Sequence, residues 1–314
     1  MNLVARLYGA GTAFRNALFD RDLLRARRLN KPVVSVGNLS AGGTGKTPFV
    51  IMLGDLLRER SISFDVLSRG YRRRSRGVLV VNPSGSAKEF GDEPLLIAQR
   101  LGAPVIVGES RYQAGLVAEK EFQSQVHLLD DGFQHRSLVR DYDIVLVAAG
   151  DLQDRLLPSG SLREPLSSLQ RADAIVVAPE IPPDSRLLQG RSIWLMRREI
   201  LLRDIPRRPI VFCAIARPEQ FFAQVRAAEV SPAAEISFRD HHAYKQDDVA
   251  RLNALRRDNN AGGFVTTEKD VINLGRLRSE LEPLCVAQLQ LSLDRPADLV
   301  DTIVTRITDQ RPRS

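Results

Sequence analysis

The stretch Ser40-Ala41-Gly42-Gly43-Thr44-Gly45-Lys46-Thr47 decides how the rest of this 314-residue chain is read. The apolar run Pro32 to Val36 precedes it, and Pro48 follows it at a place suited to the first turn of a helix. Glycines in such a loop free consecutive backbone N–H groups to point at phosphate oxygens. Lys46 adds a cation for the β- and γ-phosphates, and Thr47 a hydroxyl for Mg²⁺. The phosphates would then lie at a helix N-terminus, where the backbone dipole favours negative charge. Gly42, Gly43, Thr44, Gly45, Lys46 and Thr47 are therefore the expected nucleotide-binding residues. The loop departs from the strict G-x-x-x-x-G-K-[S/T] pattern, because Ser40 stands where the first glycine is expected. Gly42 and Gly43 are expected to provide the conformational freedom instead.

Working outward, short apolar runs bounded by turn residues recur at Val33 to Val36, Phe64 to Leu67, Val105 to Val107, Val126 to Leu129, Ile144 to Val147 and Ile175 to Val177. They have the form of buried parallel strands. Helical stretches lie between several of them, at Pro48 to Arg60, Glu93 to Leu101 and Arg111 to Glu121. The alternation is that of βαβ units, so the expected fold is α/β, a P-loop NTPase-type, mostly parallel sheet flanked by helices. The polar, proline-rich passage Pro179 to Arg191 interrupts the series. A second series begins with Ile193 to Met196 and continues through Ile210 to Ile215 and Gly263 to Thr267. A boundary near Ile205 divides the chain into an N-terminal helix (1–30), a P-loop kinase domain (31–205) and a smaller α/β domain (206–314) that closes over a cleft.

Composition narrows the setting. Cys213 and Cys285 are the two cysteines and form no C-x-x-C pattern, which fits two buried thiols in a reducing compartment and no metal site built on sulfur. No apolar run approaches the roughly 20 residues that span a bilayer. The net charge of +7 is uneven: residues 1–31 carry seven Arg and Lys against Asp20 and Asp22. On a helical wheel Leu3, Leu7, Ala10, Phe14 and Leu18 share a face, with Val4, Tyr8 and Phe19 beside it. A basic amphipathic helix of this kind suits an anionic membrane surface, and equally a helix packed on its own domain. Aromatics are only 6% of the chain and no nucleic-acid recognition motif accompanies the charge, so nucleic acid is not an expected partner.

A P-loop enzyme also needs an acidic group at the end of a neighbouring strand to hold Mg²⁺ directly or through water. Val126-His127-Leu128-Leu129-Asp130-Asp131 has that form, with Asp130 the better metal candidate and Asp131 its neighbour on the substrate side. His127, within the strand, reads as a satisfied core residue. Gly91-Asp92-Glu93-Pro94 places two acids before a predicted helix, where the local reading of Asp92 is a helix N-cap. Asp240-His241-His242 lies far downstream, and a carboxylate and an imidazole brought together could take a proton from an attacking hydroxyl. Arg69, Arg72, Arg73, Arg74 and Arg76 follow the Phe64 to Leu67 strand, at the carboxyl edge of the sheet where ligands of open α/β sheets bind.

Taken together, Ser35 to Pro48, Leu67-Ser68-Arg69-Gly70-Tyr71, Gly91-Asp92-Glu93-Pro94 and Leu129-Asp130-Asp131-Gly132-Phe133-Gln134-His135-Arg136 closely resemble the tetraacyldisaccharide 4′-kinase family of lipid A biosynthesis. The likeness continues through Pro158 to Pro165, Phe238-Arg239-Asp240-His241 and Thr266-Thr267-Glu268-Lys269-Asp270. The resemblance implies transfer of the ATP γ-phosphoryl group to the 4′-hydroxyl of a lipid A disaccharide 1-phosphate precursor. It places the enzyme at the cytoplasmic face of a Gram-negative inner membrane. It further implies that Asp92 and His241 form the hydroxyl-activating dyad, against the local N-cap reading, with His242 as the other candidate imidazole. Lys46 and Thr47 keep their loop roles. Asp130 and Asp131 would serve Mg²⁺, and Arg69, Arg72, Arg111, Gln134, His135, Arg163 and Glu164 the substrate side. The expected cofactors are ATP and Mg²⁺, and no obligate protein partner is evident. The alternative is a membrane-associated P-loop NTPase switch without a lipid acceptor, which would need no Asp92 and His241 pair.

Overall fold

The computed structural model describes residues 3–182 and 190–309. Residues 183–189 of the proline-rich passage, and the side chain of Leu3 on the N-terminal helix, lie outside the described residues. The chain opens with α1 (Leu3–Asp20), β1 (Val33–Asn38), α2 (Lys46–Glu59), β2 (Phe64–Ser68) and β3 (Leu79–Val80). There follow α3 (Ala87–Phe90), α4 (Asp92–Leu101), β4 (Val105–Val107), α5 (Arg111–Glu121), β5 (Val126–Asp130), β6 (Tyr142–Val147) and β7 (Ala174–Val177). The remainder is β8 (Ser192–Leu201), β9 (Ile210–Cys213), α6 (Pro218–Ala227), β10 (Ala234–Ser237), α7 (Gln246–Asp258), β11 (Phe264–Thr267), α8 (Glu268–Leu274), β12 (Leu284–Leu293) and α9 (Pro296–Asp309).

β1, β2, β4 to β9 and β11 lie where the apolar runs place them, β3, β10 and β12 fall outside those runs, and the strands of the described residues pair into one sheet in the order β10-β9-β11-β12-β8-β7-β6-β1-β5-β2-β4-β3. Most neighbours are parallel. β1, β2, β5, β6 and β7 are buried at every residue, which is why they read as continuous apolar runs instead of alternating ones. Successive side chains of β1 serve opposite layers. Val34 and Val36 join a core with Phe49, Leu53 and Leu57 of α2, while Val33 joins Ala114 and Ala118 of α5 on the other face. Glycine is required at Gly37, where a Cβ would lie 2.5 Å from the Cβ of Phe133.

Two ten-residue strands, β8 and β12, join the two series of strands into one sheet. The first half of β8 runs parallel to β7 through Ser192 to Leu195, and its second half runs antiparallel to β12, with Arg197 opposite Ser292 and Leu201 opposite Gln288. The start of β12 is parallel to β11 from Leu284 to Ala287. The run Ile193 to Met196 thus continues the first series as well as opening the second. Beyond the splice, β9 and β11 carry a core on each face. Phe212 and Phe264 pack toward α7, and Val211, Cys213 and Val265 pack with Cys285 toward α6. Both cysteines are buried free thiols.

α9 then returns to the first half, where Leu299, Val300, Ile303 and Ile307 are buried in the same core as Val34, Phe49 and Trp194. α9 therefore closes the layer against which the phosphate loop's own helix is packed. Ile303, fully buried there, should cost about 2–5 kcal/mol when truncated in Ile303→Ala. Urea unfolding monitored at Trp194, which shares that core, should show the loss.

Candidate functional site

The register of the central strands builds the site. β1 lies between β5 and β6, and Val36 stands opposite Asp130, so the loop leaving β1 meets the carboxylate that ends β5. Positive φ falls on Gly42 (86°), Gly43 (47°) and Gly45 (87°), the conformations L side chains resist. The absence of glycine at position 40 has a physical reason. Ser40 bridges Leu162 as extended backbone, with Ala41 N–H donating to Ser161 O at 2.7 Å and Arg163 N–H to Leu39 O at 2.7 Å. The first residues of the loop are held as a strand, and the turn begins only at Gly42. Gly45 caps α2, which starts at Lys46, and Pro48 sits in its first turn.

Lys46 Nζ donates to Asn38 Oδ1 at 3.0 Å and lies 3.4 Å from Asp131 Oδ1. Asp131 takes a left-handed conformation (φ 52°) and accepts from Arg163 Nη1 at 3.0 and 2.9 Å. Burial would raise its carboxyl, but Lys46 and Arg163 hold it below the ordinary value. Asp130 is the opposite case. Its burial, together with the charges of Glu93 and Asp131, pushes the carboxyl up to about 7, with Lys46 and a 3.0 Å hydrogen bond from Ser68 opposing. Two neighbouring carboxylates are thereby driven apart.

Asp130 Oδ1 is buried with no protein partner, and so is Oε1 of fully buried Glu164, whose other oxygen accepts from Asn16 and Arg171, each at 2.7 Å. Carboxylate oxygens without a protein partner, on residues that line the same cavity as Thr47, are of the hard-donor type that Mg²⁺ selects. No group of three or more metal-ligating acids, histidines or cysteines gathers among the described residues. Mg²⁺ needs none, since it is held by one or two carboxylates, water and substrate phosphate.

The loop, Asp130 and Asp131 open on a cavity of about 1270 Å³ whose far wall comes from the second part of the chain. His241 projects into that cavity with positive φ (58°), and its Nδ1 lies 2.7 Å from Asp92 Oδ2. Gly91, not Asp92, occupies the cap position of α4. Asp92 is the first helical residue, where its Oδ1 accepts the Glu93 N–H at 3.0 Å and its other oxygen faces the histidine. His242 turns away, bonded to Asp248 at 2.8 Å and stacked on Phe238. Of the other expected residues, Arg69, Gln134, Arg163 and Glu164 line the cavity. Arg72 lies at its margin, donating to the Asp240 carbonyl at 2.7 Å. Arg111 is buried behind the wall, its guanidinium lowered to about 10 by burial and by Arg69. His135 is likewise set back, lowered to about 4 by burial and surrounding arginines.

Several side chains at the site carried no signal in the sequence. Arg198 on β8 donates to the Thr44 carbonyl, and Arg217 lies against Gly43. Lys269, quoted only as part of a motif, bonds Glu93 at 3.1 Å and reaches His241 Nε2 at 3.1 Å. α1 forms one side of the mouth: Tyr8 Oη donates to Arg163 O at 3.2 Å, and Thr12 and Arg15 line the opening. His127 lies away from the site, fully buried with Nδ1 2.8 Å from Asp65.

A glycine loop at a helix N-terminus, a Lys and Thr at its end and a carboxylate-paired histidine across a cavity define a P-loop phosphotransferase. A family model described as tetraacyldisaccharide-1-P 4′-kinase matches residues 1–308. The tetraacyldisaccharide 4′-kinase of Koribacter versatilis is 48% identical over 321 residues, covering 99% of each chain. That of Aquifex aeolicus is 38% identical over 285 residues, covering 85% of this chain and 87% of the relative. The crystal structure of LpxK from Aquifex aeolicus in complex with ATP superposes with a TM-score of 0.79, at 34% identity and 97% of both chains. The chain belongs to the tetraacyldisaccharide 4′-kinase family and is a kinase of lipid A biosynthesis.

One consequence of the geometry is a pH-dependent contribution to stability. Burial would raise the Asp92 carboxyl, but the hydrogen bond with His241, the charge of Lys269 and a hydrogen bond from Asn273 lower it to about 2. A carboxyl depressed in the folded state stabilises above its unfolded value of 3.8 and ceases to do so as pH falls toward about 2. Relative to Asp92→Asn, the native chain should lose about 2 kcal/mol of unfolding free energy across that window, measured by denaturant titration at stepped pH.

Proposed function

We propose that the cavity binds ATP on the Gly42 to Thr47 loop and transfers its γ-phosphoryl group to the 4′-hydroxyl of a tetraacyldisaccharide 1-phosphate, forming lipid IV-A. The observation that carries this reading is the 2.7 Å contact of Asp92 with His241, whose ring faces the same cavity as Lys46 and Thr47. A nucleotide switch needs no such pair, and the relatives are kinases.

Thr47 and Asp130 would hold Mg²⁺, with Asp131 or Glu164 beside them, and the ion would supply charge neutralisation on the phosphates. Loop amides and Lys46 meet the β- and γ-phosphates, and Arg198 and Arg217 bring further positive charge to the loop from the second part of the chain. Arg69, Gln134 and Arg163 line the approach for the phosphorylated sugar, with Arg72, Arg111 and His135 behind them. The acceptor oxygen attacks phosphorus as the bond to the bridging oxygen of ADP breaks. Its proton passes to His241 Nε2 while Asp92 accepts the hydrogen bond from Nδ1 and stabilises the imidazolium that forms. Closure of the second part over the cavity would reserve this assembly for the lipid acceptor and exclude water.

α1 supports a membrane location. Leu7 is 65% exposed and Phe14 67%, while Ala5 is fully buried and Asn16 is turned inward to Glu164. The apolar face seen in the sequence thus points away from the protein, and it adjoins exposed Leu23 and Leu24. No helix among the described residues is long and apolar enough to cross a membrane. An exposed apolar face bordered by arginines fits the interface of an anionic bilayer, here the cytoplasmic face of the inner membrane, where a multi-acyl substrate resides.

With γ-labelled ATP and the lipid A disaccharide 1-phosphate, label should appear on the lipid, and an unlabelled lipid would reject the assignment. Asp92→Ala and His241→Ala should lower the transfer rate about 10²–10⁴-fold, and Lys46→Ala by a comparable factor through lost charge stabilisation. Sedimentation with vesicles containing anionic lipid tests the helix. L7E/F14E should reduce vesicle binding severalfold while detergent-dispersed substrate is still phosphorylated, whereas unchanged binding would mean that the outward face serves no membrane contact.

A further inference from the structure

Among the described residues, the Lys269 side chain touches both the imidazole and the acids around it. α8 is held for this purpose at its first turn: Thr267 accepts the Asp270 N–H at 3.2 Å, and Asp270 in turn accepts from Ala214 N–H and Tyr244 Oη, each at 2.8 Å. Asn273, one turn further along, donates to Asp92 Oδ2 at 3.2 Å. The Lys269 ammonium lies 3.1 Å from Glu93 Oε1, 3.7 Å from Asp92 Oδ2, 3.9 Å from Asp240 Oδ1 and 3.1 Å from His241 Nε2. It lines the cavity together with His241, Glu93 and Asp240, whereas Asp92 lies behind the ring.

We infer that Lys269 is a positioning residue for the phosphoryl transfer, holding His241 as the neutral imidazole with its proton on Nδ1 and its lone pair on Nε2 toward the cavity. The inference rests on the Asp92 and His241 reading given above. An ammonium has three N–H donors and no lone pair, so a 3.1 Å contact with Nε2 requires that nitrogen to accept. The ring proton is then on Nδ1, where Asp92 receives it. A single cation thus selects the tautomer that can act as a base, and the imidazolium, having no acceptor nitrogen, is incompatible with it.

The surrounding charges show why such a group is needed. Asp92 from α4 bonds Nδ1, and Asp240 from the histidine's own loop reaches within 3.8 Å of Nε2. Glu93 from α4 is joined through the lysine. The segment after β2 contributes the Tyr71 ring, edge-on at 5.5 Å, and Arg72, whose Nη1 donates to the Asp240 carbonyl. Lys269 is the cation that touches these three carboxylates as well as the ring, so it places positive charge between them and Nε2. When the acceptor arrives, its O–H takes the ammonium's place at Nε2, and the lysine keeps its carboxylate partners. The O–H bond then breaks toward Nε2 as the new O–P bond forms and the P–O bond to ADP breaks, leaving the proton on Nε2 and the electron pair on the ADP oxygen.

The test is the pH profile of kcat/KM for lipid labelling in wild type, K269M and K269R, with H241A alongside. K269M should lose up to about tenfold on the acid side of the limb and recover as pH rises, its acid limb displaced upward by about one unit. K269R should keep the wild-type limb. A K269M loss that is equal at every pH, or an unmoved limb in K269M, overturns the inference. ATP binding checks that K269M is folded, and K269Q is read by the same criteria if it is not. Activity retained in H241A would overturn the dyad itself, whatever the lysine variants do.

Discussion

The hydrogen bond between Asp92 and His241 is the contact on which the site depends, because it joins groups 149 residues apart in sequence and from the two ends of one sheet. Asp92 is placed by the start of α4, which packs on the phosphate-loop side; His241 is placed by the loop after β10, at the far edge. A lone imidazole in the cavity would have no fixed orientation, and a lone carboxylate in that much burial would be destabilised in its charged form.

What makes the meeting possible is the splice of β8 and β12. One strand is parallel to its neighbour at one end and antiparallel at the other, and so is its partner, which lets a second parallel set continue the first sheet. The same region delivers Arg198 to the loop carbonyl of Thr44 and, through α8, delivers Lys269, Glu268 and Asn273 to α4. The cavity wall is therefore a single bonded surface that crosses from one set of strands to the other. α9, returning to the first core, joins the support of the phosphate-binding helix.

Much of this was legible in the sequence for physical reasons. Strands buried on both faces advertise themselves as short apolar runs, and a loop that must expose its amides to phosphate needs glycine at defined places. Even the irregular Ser40 followed a rule once its backbone was seen to be paired with Leu162. What stayed hidden was nonlocal. Nothing near Arg197 shows that it will lie opposite Ser292, and nothing near Asp92 separates a helix-start acid from one bonded to a distant histidine. His241 and His242 are adjacent and alike in sequence; only the backbone turn at His241 sends one ring to Asp92 and the other to Asp248. Lys269 had no local signature at all, since a lysine early in a helix is ordinarily a solvated one.

Whether Asp92 and His241 act as one proton-accepting unit is measured by a double-mutant cycle on the single-turnover rate of lipid phosphorylation. If Asp92 works through His241, the Asp92→Ala/His241→Ala double variant should be no slower than the more damaged single variant. Losses that multiply would contradict the account, because they would mean that the carboxylate and the imidazole contribute to transfer independently.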